Sequence, residues 1–191
     1  MIMEWMDAGD LSTMIKALPA KIPEPIIAYI CKKILLAINK MHENSQIHRD
    51  LKPLNVMLST TGAIKLGDFG LAAQLVIESY NSKEIKGTPK WMAPEILLTK
   101  PYTQLVDVWS LGIIALELGV GINPYRGMTL QRIMHTMKND KPPRIKGGFS
   151  EDMIDFVNNK CLIKDPVRRA DTLELLRHPF MQNADDEDHQ D

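Results

Sequence analysis

The stretch "QIHRDLKPLNVML", residues 46–58, sets His48, Arg49, Asp50, Lys52 and Asn55 among the apolar Ile47, Leu51, Leu54 and Val56. The apolar positions draw the segment toward a core, and charge carried there needs a partner or a task. The spacing asks for chemistry, and for surrounding elements that hold these groups in place.

Outward from this stretch the chain reads mostly as helix. Upstream, "EPIIAYICKKILLAINKMHE" (24–43) repeats Ile26, Ile30, Ile34, Ile38 and Met41 at intervals of three and four, which predicts a long helix with one buried stripe; Pro23 and Pro25 suit its first turn. Downstream, "VML" (56–58) and "AIKL" (63–66) flank the turn "STTGA" and predict a short hairpin. "LVDVWSLGIIALELG" (105–119) is apolar on nearly every face, as in a helix enclosed by a core. Beyond it, "MTLQRIMHTMKND", "SEDMIDFVNNKCL" and "DTLELLRH" predict three shorter amphipathic helices, with "KPPRIKGG" a loop between the first two. The expected fold is mainly α-helical (α+β), with one small strand pair near the start and a central buried helix.

The bounds agree with one intracellular domain. The chain has 191 residues, 45% hydrophobic and 25% charged, with a formal net charge of −1. Such a chain buries roughly 70% of its unfolded surface. The near-neutral balance argues against bulk binding to nucleic acid or anionic membrane. Cys31 and Cys161 lack ligand-like spacing, so neither a disulfide framework nor a zinc site is expected, and a reducing cytoplasmic setting is the simpler reading. The most apolar run, "SLGIIALELGVGI", contains Glu117 and is too short to span a bilayer. There is no signal-peptide pattern at the start. "ADDEDHQD" reads as a solvated acidic tail.

Phosphoryl transfer to a hydroxyl needs an acceptor for the hydroxyl proton, cations on the phosphate oxygens, and oxygen ligands for magnesium. Asp50 can accept the proton. Lys52 can reach the same phosphate as a point charge, and Asn55 offers an amide oxygen to a metal. "GDFG" (67–70) puts the Asp68 carboxylate just after the second predicted strand, where it could ligate the same ion. "GTPKWMAPE" (87–95) follows. A lone Asp-Phe-Gly is more often a turn than a metal site. The ordered set His48-Arg49-Asp50, Lys52, Asn55, Asp68-Phe69-Gly70 and Ala93-Pro94-Glu95 is far more specific.

On these motifs the chain resembles the C-terminal lobe of a eukaryotic serine/threonine protein kinase, over residues 1–181, with 182–191 as the tail. The resemblance implies a kinase-like fold without the N-terminal β lobe, ATP and Mg2+ as cofactors, and protein substrates. By the same resemblance Asp50 is the catalytic base, Lys52 stabilises the transferring phosphoryl group, Thr88 bridges base and lysine, and Asn55 and Asp68 hold magnesium. Phe69 and His48 belong to a stacked internal spine, Glu95 pairs with Arg169, and Asp107 accepts bonds from the catalytic-loop backbone. "GTPKWMAPE" and "LLRHPF" look like the sterile-twenty-like group, and "IMHTMKNDKPPRI" like its germinal-centre branch. Lys90 is a departure, since an aromatic or small residue is commoner there.

"MIMEWMDAGDL" resembles the hinge between kinase lobes. It implies Met3 at the gatekeeper position, the Glu4 carbonyl and Met6 amide on adenine, Asp10 on the ribose, and Met57 as the pocket floor. "DAGDL" is no phosphate-cradling loop, and the 191 residues hold no glycine-rich loop or strand lysine of the kind that covers ATP. The expectation is therefore an incomplete catalytic domain, inactive alone. The alternative is a non-catalytic lobe that docks partners. The activation segment, Asp68 to Glu95, is where upstream regulators would act. Glu84 stands at the position of a phosphorylated threonine in the sterile-twenty-like group, where a carboxylate facing Arg49 would supply part of a phosphate's charge.

Overall fold

The computed structural model describes residues 6–18, 22–68, 70, 72–74, 87–182 and 184. Met3, Glu4, Phe69, Glu84 and the acidic tail lie outside the described residues. Residues 6–10 run beside the strand β2 (Val56–Leu58): the Ala8 amide donates to the Leu58 carbonyl at 3.0 Å, and the Leu58 amide to the Gly9 carbonyl at 2.8 Å. Asp10 then caps α1 (Leu11–Ala17), accepting from the Thr13 amide at 2.9 Å. The sequence reading contained no such helix. It has one buried residue, Leu11, and it depends on that cap and on packing against the 3-10 turn Pro53–Asn55 rather than on an apolar stripe.

The long helix α2 (Glu24–Glu43) forms where the isoleucine spacing predicts it. Its buried face is Ile27, Ala28, Ile30, Cys31, Ile34, Leu35, Ile38 and His42. The expected stripe is corrected at one end: Ile26 is 48% exposed. The helix contacts α4 (Leu105–Val120) and α7 (Thr172–Leu176), so its buried face is broader than one row of isoleucines. Glu24 at its start also binds Ser150, taking the serine amide at 2.9 Å and its hydroxyl at 2.6 Å.

β1 (Gln46–Ile47) leads into the motif stretch, and β2 pairs antiparallel with β3 (Ile64–Leu66), with Val56 opposite Leu66. This is the expected hairpin. β1 also pairs antiparallel with β4 (Ala73–Gln74), so the described residues hold a second strand pair where the sequence reading had one. Two-residue partners so far apart in the chain leave no alternation to read.

After the short α3 (Pro94–Leu97), α4 carries Trp109, Leu111, Ile113, Ile114 and Leu118 fully or almost fully buried, as expected for an enclosed helix. A Cβ at Gly112 would lie 2.6 Å from Cys161 Cβ, so only glycine permits this approach. α5 (Leu130–Asn139) and α6 (Glu151–Asp155) follow. The single helix expected over 150–162 changes into a π-turn at Phe156–Cys161. The wider turn keeps Phe156, Val157 and Cys161 in the core. It also lets the buried Asn158 exchange two 2.9 Å bonds with the Ile145 backbone, pinning the preceding loop. α7 and α8 (Pro179–Gln182) close the base, with Phe180 buried against Phe156. Both cysteines are buried free thiols, and burial pushes Cys31 up to about 12.

Candidate active site

The motif stretch is held from behind by α4. Asp107, fully buried, accepts the His48 amide on Oδ2 and the Arg49 amide on Oδ1, both at 3.0 Å. His42 Nε2 lies 2.9 Å from the same Oδ2. One carboxylate thereby fixes two successive peptide groups. Arg49 adopts a positive φ of 65°, a turn that few side chains favour unless their surroundings impose it. His48 reads the other side: its Nδ1 accepts from the Asp50 amide at 3.4 Å, and its Nε2 lies 3.3 Å from the Gly67 carbonyl. His48 is completely buried and so belongs to the support, not to the reacting surface.

Asp50 emerges from this support with four side-chain and backbone donors on its carboxylate. Oδ1 accepts the Thr88 amide at 2.8 Å and the Thr88 hydroxyl at 2.7 Å. Oδ2 accepts Lys52 Nζ at 2.5 Å and Asn55 Nδ2 at 3.3 Å. Lys52 Nζ also donates to Thr88 Oγ1 at 2.8 Å, closing a triangle of carboxylate, ammonium and hydroxyl. Thr88 can come this close because Gly87 precedes it. Gly87 has a φ of 114°, and a Cβ there would sit 2.7 Å from the Arg49 carbonyl oxygen. Three positions singled out in the sequence, from two segments far apart in the chain, thus meet at one carboxylate.

Asn55 is buried and donates Nδ2 to the Asp50 carbonyl at 2.9 Å, which leaves its amide oxygen as the atom able to ligate a cation. Its own carbonyl accepts the Gly67 amide at 2.8 Å, so the residue before Asp68 is tied to Asn55. Asp68 is exposed, has a φ of 54°, and accepts the Gly70 amide at 3.3 Å. A carboxylate and an amide oxygen at neighbouring positions are hard oxygen donors of the kind magnesium takes, with water and phosphate completing its shell. The donor set fits that ion. Among the described residues no group of three His, Cys, Asp or Glu offers a softer alternative.

On the other side of β2 stand the residues expected to meet a nucleotide. Asp10 bridges to Met57 across the strand, and a Cβ on Gly67 would lie 3.4 Å from Met57 Cγ. Met57 therefore sits between residues 6–10 and the segment leading to Asp68. Met6 is half-buried at the start of the same run. Asp10 already caps α1: Oδ1 takes the Thr13 amide and Oδ2 the Thr13 hydroxyl, each at 2.9 Å.

Below the site, Arg169 and Glu95 form a bidentate pair at 2.6 and 3.1 Å. Arg169 also donates to the Leu105 carbonyl at 2.8 Å and the Ile163 carbonyl at 2.9 Å, with its guanidinium 5.3 Å from the Trp109 ring centroid. Both members of this pair, and Asp107, take the partners the sequence reading expected of them.

Comparison with known proteins fits this geometry. Residues 1–181 match the protein kinase domain. The chain belongs to the protein kinase family. The chain is 39% identical over 184 residues to the serine/threonine-protein kinase sid1 of Schizosaccharomyces pombe, covering 96% of this chain and 38% of that protein. It is 38% identical over 183 residues to the serine/threonine-protein kinase dst1 of Dictyostelium discoideum, covering 95% of this chain and 25% of that one. The chain thus spans well under half the length of either relative. No helix among its described residues is long and apolar enough to cross a membrane.

Sequence reasoning missed several residues that shape the site. His42 joins Asp107 from the last turn of α2, where it looks like any polar residue near a helix end. Glu117 accepts the Trp91 indole at 2.9 Å and Asn123 Nδ2 at 3.3 Å, and burial holds its carboxyl above the usual range. Asp7 accepts the Thr60 hydroxyl and amide and the Ser59 hydroxyl; these bonds, the Thr60 hydroxyl foremost, hold its carboxyl at about 2. Each depends on a partner that only folding brings close.

Proposed function

We propose that the chain is the C-terminal lobe of a serine/threonine protein kinase that transfers the γ-phosphate of ATP to Ser and Thr hydroxyls of protein substrates. The observation that carries this is the Asp50 triangle. A carboxylate on rigid backbone, 7% exposed, is fronted by one ammonium and one hydroxyl. In the reaction, the substrate hydroxyl oxygen bonds to the γ-phosphorus as the bond to ADP breaks, and Asp50 takes the hydroxyl proton. Lys52 lies within reach of both Asp50 and Thr88, where it would meet charge on the transferring oxygens. Asn55 and Asp68 would hold magnesium, which when bound neutralises phosphate charge. Met6 and Met57 would line the adenine site. Asp10 would bind the ribose with the lone pairs its capping bonds leave unused. Glu4 completes this proposed set from outside the described residues. The names of both relatives support the Ser/Thr class, and "GTPKWMAPE" supports the sterile-twenty-like group. A cytoplasmic setting, regulators acting on the segment before Glu95, and a domain ending at residue 181 belong to the same proposal.

Positioning of reactants accounts for about 7–11 kcal/mol of barrier lowering in such reactions. The 191 residues lack a glycine-rich loop to cover the phosphates, so on their own they are expected to transfer slowly. A radiolabelled-phosphate transfer assay tests the reading, run on the chain alone and on the chain fused behind an ATP-covering lobe from another protein kinase. The fusion should phosphorylate protein Ser/Thr, and Asp50→Asn should cut this about 10²–10⁴-fold with nucleotide binding kept. Asp68→Asn should instead lose magnesium-dependent nucleotide binding. A folded fusion without Asp50-dependent transfer would replace the enzyme with a docking module.

A further inference from the structure

The run from Met6 to Asp10 has little of its own to hold it. Ala8 is exposed, and Gly9 sits at a φ of 78°, a conformation that glycine adopts at little cost. Main-chain bonds join the run to β2 as far as Leu58, whose carbonyl takes the Ala8 amide and whose amide donates to the Gly9 carbonyl. At Leu58 the strand ends and the chain turns back toward β3, so β2 offers the run no further rung. There the Asp7 side chain takes over. Its Oδ1 accepts the Ser59 hydroxyl at 3.0 Å and the Thr60 amide at 2.9 Å, and its Oδ2 accepts the Thr60 hydroxyl at 2.6 Å.

The turn that supplies these donors is itself fixed. The Ser59 amide donates to the Ala63 carbonyl at 2.9 Å, and the Gly62 amide to the Ser59 carbonyl at 3.0 Å. The Tyr29 hydroxyl, from α2, donates to the Gly62 carbonyl at 3.1 Å and ties the turn to the long helix. One exposed carboxylate therefore fastens a permissive backbone to an anchored point, through three donors from two adjacent residues. Asp7 directly follows Met6, and the run ends at Asp10, which is bridged to Met57. Bonds to a charged acceptor are stronger than neutral ones, yet in contact with water each stays modest. Their effect therefore falls on a ligand that uses this run rather than on survival of the fold.

We propose that Asp7 is a positioning residue for the nucleotide: by binding Ser59 and Thr60 it sets the register in which Met6 and Asp10 meet adenine and ribose. The proposal rests on the kinase reading of those residues. It is tested in the fused chain by titration with fluorescent N-methylanthraniloyl ATP and magnesium, and by steady-state phosphate transfer to a serine peptide. Asp7→Ala and Thr60→Val should each weaken nucleotide binding about fivefold and raise the KM for ATP by the same factor. The kcat at saturating ATP and the KM for the peptide should stay as they were, which a general loosening would not give. Thr60→Ser, which keeps the hydroxyl, should bind nucleotide as the unaltered chain does. In the 191-residue chain, hydrogen exchange at the Ala8 and Leu58 amides should quicken in Asp7→Ala and Thr60→Val and not in Thr60→Ser. Unchanged exchange or unchanged nucleotide affinity in Asp7→Ala or Thr60→Val overturns the positioning role. So does an equal loss of peptide and nucleotide binding, or a Thr60→Ser variant as weak as Thr60→Val. In each of these cases an unaltered fusion that binds nucleotide and transfers phosphate keeps the kinase reading. An unaltered fusion that binds no nucleotide refutes the kinase reading and the positioning role together.

Discussion

Arg169 and Glu95 meet with 0% and 4% of their side chains exposed, and Lys52 and Asp50 with 14% and 7%. The first pair joins residues 74 apart in the chain and the second lies within one stretch, and their surroundings also differ in kind. Arg169 makes four bonds to fixed acceptors and lies over an indole, so its charge has one arrangement only. Lys52 has two partners in the site, the Asp50 carboxylate and the Thr88 hydroxyl, and itself stays 14% exposed. The first pair can only hold elements together. The second can exchange partners when a phosphate arrives, because an ammonium is a point charge without a required fork geometry. Burial alone does not tell a clamp from a working site. What separates them is whether the donors are committed to groups that cannot move.

Breaking the clamp should have the largest effect. Arg169→Ala strands the buried Glu95, and a loss of about 3–5 kcal/mol is expected. In thermal unfolding this should appear as a fall in Tm of about 10 °C. Asp50→Asn should cost less, because the asparagine side-chain oxygen can still accept from Lys52 or Thr88 and Lys52, 14% exposed, can reach water. If the two substitutions lowered Tm equally, the distinction between clamp and working site would fail. Thr88→Val removes the hydroxyl from the triangle and keeps the backbone bond to Asp50. About 1 kcal/mol of stability should go with it, read from urea unfolding at constant slope.

The smallest effect sharpens the comparison from a third carboxylate. Burial raises Glu117 above its unfolded value, so its charged form opposes folding once pH exceeds that unfolded value, and the opposition is absent below it. Glu117→Gln keeps an acceptor for Trp91 and Asn123. It should raise Tm at neutral pH by on the order of 2 °C. The gain should vanish as pH falls toward about 4. A lower Tm at neutral pH would mean that the bonds from Asn123 and Trp91 to the charged carboxylate outweigh the burial.

The parts of this molecule that were legible in the sequence are those written locally. α2 and α4 follow from apolar spacing within their own residues, and Asp50, Lys52 and Asn55 lie within one turn-sized stretch. The Thr88 contact, the Asp107 anchor and the Glu95–Arg169 pair were legible only through resemblance to a family, since no spacing rule joins positions so far apart. What went unread was settled by tertiary contact. Ile26 fits the isoleucine rhythm yet faces outward. α1 relies on a cap and a neighbour, the π-turn carries an Asn158 bonded to the distant Ile145 backbone, and β1 and β4 are too short to show a period. Glu117 looked like an interruption of an apolar helix and is the acceptor for Trp91 and Asn123.

Asp107 has a consequence for how the chain is made. It reaches back 58, 59 and 65 residues to Arg49, His48 and His42. During synthesis at about 5–20 residues per second, the loop bearing Asp50 is complete roughly 3–12 s before Asp107 is added. Through that interval the two amides lack the acceptor that shapes them, and Arg49 has no reason to hold its left-handed backbone. The loop can take its working shape only when α4 docks, so its order is acquired late and in a single event with the core. A nascent chain stalled before residue 107 would carry every group of the motif stretch and none of its geometry.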